Sequence, residues 1–148
     1  RYVIRADHIC GWIANWVGKR NHKQFMLLCF WGGLFCGFLT GFNFGIKDGF
    51  FDRPMELLIP QLVGIAIEGP FCLVLLGMFA TTVGDLAVNR TKIQRMRGEG
   101  GQHYSFKESV QEVCGTGNCC TWWWPTPAFD ENMVITADML PIGDDLDE

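Results

Sequence analysis

The sequence predicts an all-α membrane protein: two transmembrane helices joined by a short loop, with polar segments at both ends. Three observations predict it. About half of the 148 residues are hydrophobic, and they are gathered into two long runs rather than spread through the chain. Each run is long enough to cross a bilayer, which needs about 20 apolar residues. The cationic residues flank the runs instead of interrupting them: ten of the twelve Lys and Arg lie before the first run or after the second.

Residues 1–24 are polar and basic, with Trp12 and Trp16 interspersed. This opening stretch has no secretory-leader pattern. It starts at Arg1 and reads as the continuation of something upstream. Residues 25–46 carry no charge and as a helix would extend roughly 33 Å, so they are read as the first span. Gly33, Gly37, Gly41 and Gly45 recur at every fourth position of it, forming one smooth helix face that another helix can approach closely.

A short loop, 47–56, holds Gly49 and Pro54. The second span follows at 57–79. Its one charge is Glu68, and a carboxylate at that depth must face a polar cavity or find a partner within the packing. Both readings stand at this point.

Residues 80–127 form a polar C-terminal region. It holds the basic cluster from Arg90 to Lys107, an amphipathic stretch from Phe106 to Val113, and the run Cys119-Cys120-Thr121-Trp122-Trp123-Trp124. Clustered Trp favours the headgroup zone, so this segment is read as interfacial. The acidic tail, 128–148, has the composition of a disordered segment.

The loop between the spans holds only Lys47 and Arg53. By the positive-inside rule it faces the lumen or exterior and both flanks face the cytosol. Basic clusters beside apolar runs point to a membrane surface and not to nucleic acid. The Asn89-Arg90-Thr91 sequon would then lie on the cytosolic side, so it is set aside as a glycosylation site.

Of the seven Cys, Cys29, Cys36 and Cys72 lie within the runs, where Cys behaves as a small hydrophobe. A reducing, cytosolic setting is read for the rest. Cys119 and Cys120 have three readings: acylated, unmodified, or binding a metal with Cys114.

The stretch that points to chemistry is Asp7-His8-Ile9-Cys10. A thiol reacts as its thiolate, an imidazole can take its proton, and a carboxylate can hold that imidazole in the right tautomer. Around these three stand Trp12, Asn15, Val17, Gly18, Asn21 and Phe25. In that register the sequence resembles the DHHC family of protein S-acyltransferases. The order after it also fits: a span, a short loop, a span, then Thr91-Lys92-Ile93-Gln94 where the family carries Thr-Thr-x-Glu. Tyr104 to Gly115, with Ser109 where an Asn is usual, resembles the family's C-terminal amphipathic segment, and Trp124-Pro125 the stretch after it.

The resemblance implies a four-helix membrane enzyme of which this chain holds the last two helices, with a cytosolic catalytic segment and an interfacial C-terminal segment. It implies Cys10 as acyl-carrying nucleophile, His8 as its base and Asp7 behind His8. The partners implied are acyl-CoA, membrane-associated protein substrates and the bilayer. The setting implied is an integral membrane protein of the endomembranes (Golgi or endoplasmic reticulum) or the plasma membrane.

Arg5, Lys19, Arg20 and Lys23 are candidates to meet CoA phosphates, or else the ordinary cationic flank of a span. The family also binds zinc, and three of its ligand positions fall here on Tyr2, Ile9 and Trp16, none an ordinary zinc ligand. The expectation is therefore no metal in this chain and a hairpin held by apolar packing.

The resemblance also implies that Lys92, at the position of the family's second Thr, stands beside Asp7, where it would compete with His8 for the carboxylate. A silent membrane scaffold of the same descent is the alternative function. A channel or transporter fragment is a third reading, resting on the two spans and Glu68.

Overall fold

A computed structural model describes residues 3–45, 54–101, 105–116 and 118–129. Tyr2, most of the connecting loop, Tyr104 and the tail from Asp130 lie outside the described residues. The chain divides into two compact units, Gln24–Gly84 and the pair Arg1–Lys23 with Asp85–Glu148.

The apolar unit is built from two long helices, α1 (His22–Gly45) and α2 (Met55–Ala87), both long and apolar enough to cross a membrane. Large side chains such as Phe35, Phe38, Leu73 and Val74 stand exposed on them. This arrangement suits lipid and is costly in water.

The glycine face of α1 is used only in part. A β-carbon at Gly33 would lie 2.6 Å from Leu76 Cδ2, and one at Gly37 would lie 3.1 Å from Cys72 Sγ. Gly41 has open space, and the side-chain surroundings of Gly45 lie outside the described residues. Gly33→Ala is therefore expected to push Leu76 aside at a cost of about 1 kcal/mol. Gly41→Ala should cost nothing measurable. Thermal unfolding in detergent would compare the two.

Glu68 is paired: Asn43 Nδ2 donates to its Oε2 at 3.1 Å, and Gln61 Nε2 donates to the Asn43 carbonyl. Of the two readings of Glu68, the packing partner is the one this geometry supplies.

The second helix runs past the expected end at residue 79. Thr81 and Thr82 turn their hydroxyls back onto the Met78 carbonyl. Polar side chains thus satisfy themselves against the helix without ending it. The helix ends where Asn89 adopts a left-handed φ of 46°. There the Asn89 N–H donates to Leu86 O at 3.0 Å and the Arg90 N–H to Asp85 O at 2.9 Å, the two bonds of a Schellman cap.

The all-α expectation needs one correction in the other unit. Residues 8–17 form an antiparallel hairpin, β1 (His8–Cys10) and β2 (Asn15–Val17), with Ile9 opposite Trp16. Two short triplets carrying Ile, Trp and Val around a Gly-containing turn suit a strand pair better than a helix.

Gly18 lets the chain fold back on itself: a β-carbon there would lie 2.9 Å from Ile4 O and 2.5 Å from Val3 Cγ1. The Lys19 N–H then reaches Ile4 O and the Asp7 N–H reaches Val17 O. Asn21 braces the entry to α1, accepting from the Gly18 N–H and donating to Trp16 O.

The remaining elements of this unit are α3 (Lys92–Met96), α4 (Phe106–Cys114) and a 3-10 turn at Cys119–Trp123. Ser109 and Val113 on α4 are fully buried. The Ser109 hydroxyl has no hydrogen-bond partner among the described residues.

Candidate active site

The hairpin sets the site's geometry. Side chains alternate along a strand, so His8 and Cys10 share one face of β1 while Ile9 takes the other. Cys10 is buried and Ile9 is 66% exposed. Ile9 and Trp16, two of the three positions discussed for zinc, are cross-strand partners. Both are apolar, and they offer a contact pair instead of ligands.

Asp7 immediately precedes β1 and is buried. Its Oδ2 lies 2.8 Å from His8 Nδ1, the arrangement in which Nδ1 donates and Nε2 is left to act as base. The same oxygen accepts from Lys92 Nζ at 3.0 Å, and Oδ1 accepts the Lys92 backbone N–H at 2.8 Å.

The Thr91–Gln94 segment explains how Lys92 is delivered. Thr91 caps α3: its hydroxyl accepts the Gln94 N–H, while the Gln94 side chain accepts the Thr91 N–H. Gln serves this capping box as well as Glu does. The box fixes the first turn of α3 with the Lys92 N–H aimed at the carboxylate.

A second imidazole stands beside Asp7. His22, in the first turn of α1, is 2% exposed. Its Nε2 lies 3.9 Å from Asp7 Oδ2, and neither ring nitrogen has a hydrogen-bond partner among the described residues. Sequence reasoning missed this neighbour. His22 is twelve residues from Cys10, and nothing in that spacing marks it.

Burial alone pushes the Asp7 carboxyl up. The neighbouring His22, the Lys92 backbone N–H, the Lys92 ammonium and the His8 bond outweigh burial and hold it below the ordinary carboxylate value. Asp7 is thus a fixed negative charge behind His8.

The four cationic candidates separate. Arg5 is half-buried, and its Nη2 donates to Asn89 Oδ1 at 2.6 Å. Lys19 pairs with Glu112 at 3.3 Å. Arg20 is exposed. Lys23 corrects its own reading as a phosphate contact: it is 1% exposed and its Nζ donates to Thr121 O at 2.9 Å and to both Thr126 O and Thr126 Oγ1 at 3.0 Å. All three ammonium protons are thereby committed within the fold.

Asp85 is a further feature not foreseen. It is buried and pairs with Arg95 at 3.1 Å and Arg90 at 3.5 Å, drawing part of the basic cluster into structure.

The cysteines divide as well. Cys114 is buried, and burial pushes its thiol up despite the nearby Lys23 charge. Cys119 and Cys120 are exposed. Among the described residues no group of three His, Cys, Asp or Glu side chains could hold a metal ion. A shared metal on Cys114, Cys119 and Cys120 therefore finds no support.

A family model described as DHHC palmitoyltransferase matches residues 1–99. The chain is similar to the probable protein S-acyltransferase 12 of Arabidopsis thaliana, 24% identical over 153 residues, covering 95% of this chain and 50% of that protein. It is similar to palmitoyltransferase ZDHHC9 of Homo sapiens, 27% identical over 132 residues, covering 80% of this chain and 34% of that one. A shorter likeness, 47% identity over 36 residues, is to palmitoyltransferase pfa3 of Emericella nidulans, covering 24% of this chain and 7% of that protein. The chain spans about half the length, or less, of these curated relatives.

Proposed function

The chain belongs to the DHHC palmitoyltransferase family, and from that premise we propose that it is the acyl-transferring part of a protein-cysteine S-palmitoyltransferase with Cys10 as the acyl carrier. The observation that carries this reading is the ordered set Asp7, His8 and Cys10 on one hairpin. Asp7 is bonded to His8 Nδ1, which makes Nε2 the nitrogen that serves as base, and His8 and Cys10 lie on one strand face.

In this reaction His8 takes the Cys10 proton and the thiolate attacks the carbonyl carbon of a long-chain acyl-CoA. A new thioester forms on Cys10 and CoA leaves as its thiol, carrying the proton back. A thiol of a membrane-associated protein then attacks the Cys10 thioester, takes the acyl group and restores Cys10. Asp7 stabilises the imidazolium that forms twice in the cycle. The site works at a bilayer surface, where the acyl chain lies in lipid and CoA in water. Of the cationic candidates, Arg20 alone stands exposed for CoA phosphates.

The protein is placed in an endomembrane (Golgi or endoplasmic reticulum) or the plasma membrane, with the site facing the cytosol. The distribution of Lys and Arg supports that orientation.

Zinc is not part of this proposal. Ile9 and Trp16 supply no ligand atoms, and their cross-strand pairing supports a hairpin held by its ladder and by apolar contact.

The full-length protein in bilayers, given a labelled long-chain acyl-CoA, is expected to form a hydroxylamine-sensitive adduct that peptide mapping places on Cys10. No adduct on Cys10 would overturn the reading. It would favour the silent scaffold, to which the substituted zinc positions and the Lys92 contact on Asp7 otherwise lend weight.

A further inference from the structure

The two adjacent residues at the start of α1 make different attachments. His22 lies against Asp7. Lys23 holds the C-terminal segment, donating to Thr121 and to both oxygens of Thr126. One helical turn therefore ties the nucleophile's hairpin to the segment that carries Cys119 and Cys120. Both thiols are exposed, although the turn bearing them is well fixed. Thr121 donates from its N–H and its hydroxyl to Asn118 O at 2.8 and 2.6 Å. Trp122 Nε1 donates to Gly115 O at 3.2 Å.

In a 3-10 turn, side chains three apart eclipse. Cys120 therefore shares an edge with Trp123, which is exposed. Trp124 next to it is 67% exposed. Exposed Trp beside the first turn of a candidate span is the side-chain chemistry of a headgroup zone. A thiol there sits where an acyl chain attached to it enters lipid directly.

We propose that Cys119 and Cys120 are themselves S-acylated, receiving long-chain acyl groups from the Cys10 thioester. This rests on the transferase reading above. The Cys119 or Cys120 thiolate attacks the carbonyl carbon of acyl-Cys10. The new thioester forms as the Cys10 C–S bond breaks, and Cys10 takes up the proton that the attacking thiol released to His8. No co-reactant beyond the acyl donor is needed. The product is a chain whose C-terminal segment carries its own lipid anchor.

The test is acyl labelling of the full-length protein in bilayers, with peptide mapping. The intact protein is expected to carry label on Cys10 and on Cys119 or Cys120, more than one acyl group per chain. The double variant C119S/C120S should retain the Cys10 adduct and lose the second population. Label on Cys10 with none on Cys119 or Cys120 would overturn this inference and leave the transferase reading standing. No label on Cys10 would overturn both. Label on Cys119 or Cys120 in Cys10→Ala protein alone would overturn the transfer from Cys10. Mixing Cys10→Ala protein with C119S/C120S protein separates two routes: label appearing on the Cys10→Ala chains assigns transfer between copies, and its absence assigns transfer within one chain.

Discussion

Asp7→Asn is expected to slow formation of the Cys10 acyl adduct by about a thousandfold or more, against complete loss in Cys10→Ala. The geometry leaves the amide no good orientation. Oδ2 serves both His8 Nδ1 and Lys92 Nζ, and Oδ1 serves the Lys92 backbone N–H. With its NH2 toward His8, the amide requires an Nδ1 that accepts, which puts the proton on Nε2 and removes the base. With its NH2 toward α3, it meets the Lys92 N–H, donor against donor.

The same substitution takes the carboxylate charge away from the largely buried Lys92 ammonium, a cost of about 3 kcal/mol. Loss of rate and loss of stability must therefore be separated. Asp7→Asn/Lys92→Met removes that ammonium as well and is expected to recover most of the stability but none of the rate. Folded Asp7→Asn protein whose adduct forms within tenfold of the unmodified rate would show that Asp7 does not act through His8.

Lys92 illustrates what the sequence made legible. The Asp-His-x-Cys motif and the Thr91–Gln94 segment are 81 residues apart between Cys10 and Thr91, yet their register in a known pattern predicts that Lys92 meets Asp7, and it does. The two apolar runs were equally plain, because a 20-residue apolar stretch has few structural alternatives.

The hairpin strands were harder to read. Three-residue strands are too short to show a period, and their pairing depends on the Ile4 and Val17 backbone contacts that Gly18 permits. The end of α2 is not marked by composition, which turns polar at Thr81, whereas the helix ends only where Asn89 supplies a left-handed cap. His22 and Lys23 were hidden for another reason. A His and a Lys ahead of an apolar run look like an ordinary cationic flank, and only tertiary packing reveals that both are buried with different partners.

Lys23→Met carries the second large effect, because it keeps the aliphatic stem and removes only the ammonium. Three donors vanish at once, and two carbonyls and a hydroxyl on Thr121 and Thr126, both exposed residues, lose a charged partner. Thr121 O retains the Trp124 N–H at 3.3 Å, so the larger loss falls on Thr126, whose two oxygens exchange the Lys23 donor for water. A loss of about 2 kcal/mol follows from the lost charge-assisted bonds. It should appear locally, since Asp7, His8 and Cys10 are held by the hairpin and by α3. Hydrogen exchange of the amides in 118–127 is expected to speed up by about thirtyfold, with exchange across the hairpin little changed. Unchanged exchange in 118–127 would mean that the segment is held by its Trp side chains instead. A matching rise in the hairpin would mean that the first turn of α1 carries strain from one attachment to the other, so that the nucleophile and the Cys119–Cys120 segment move as one body.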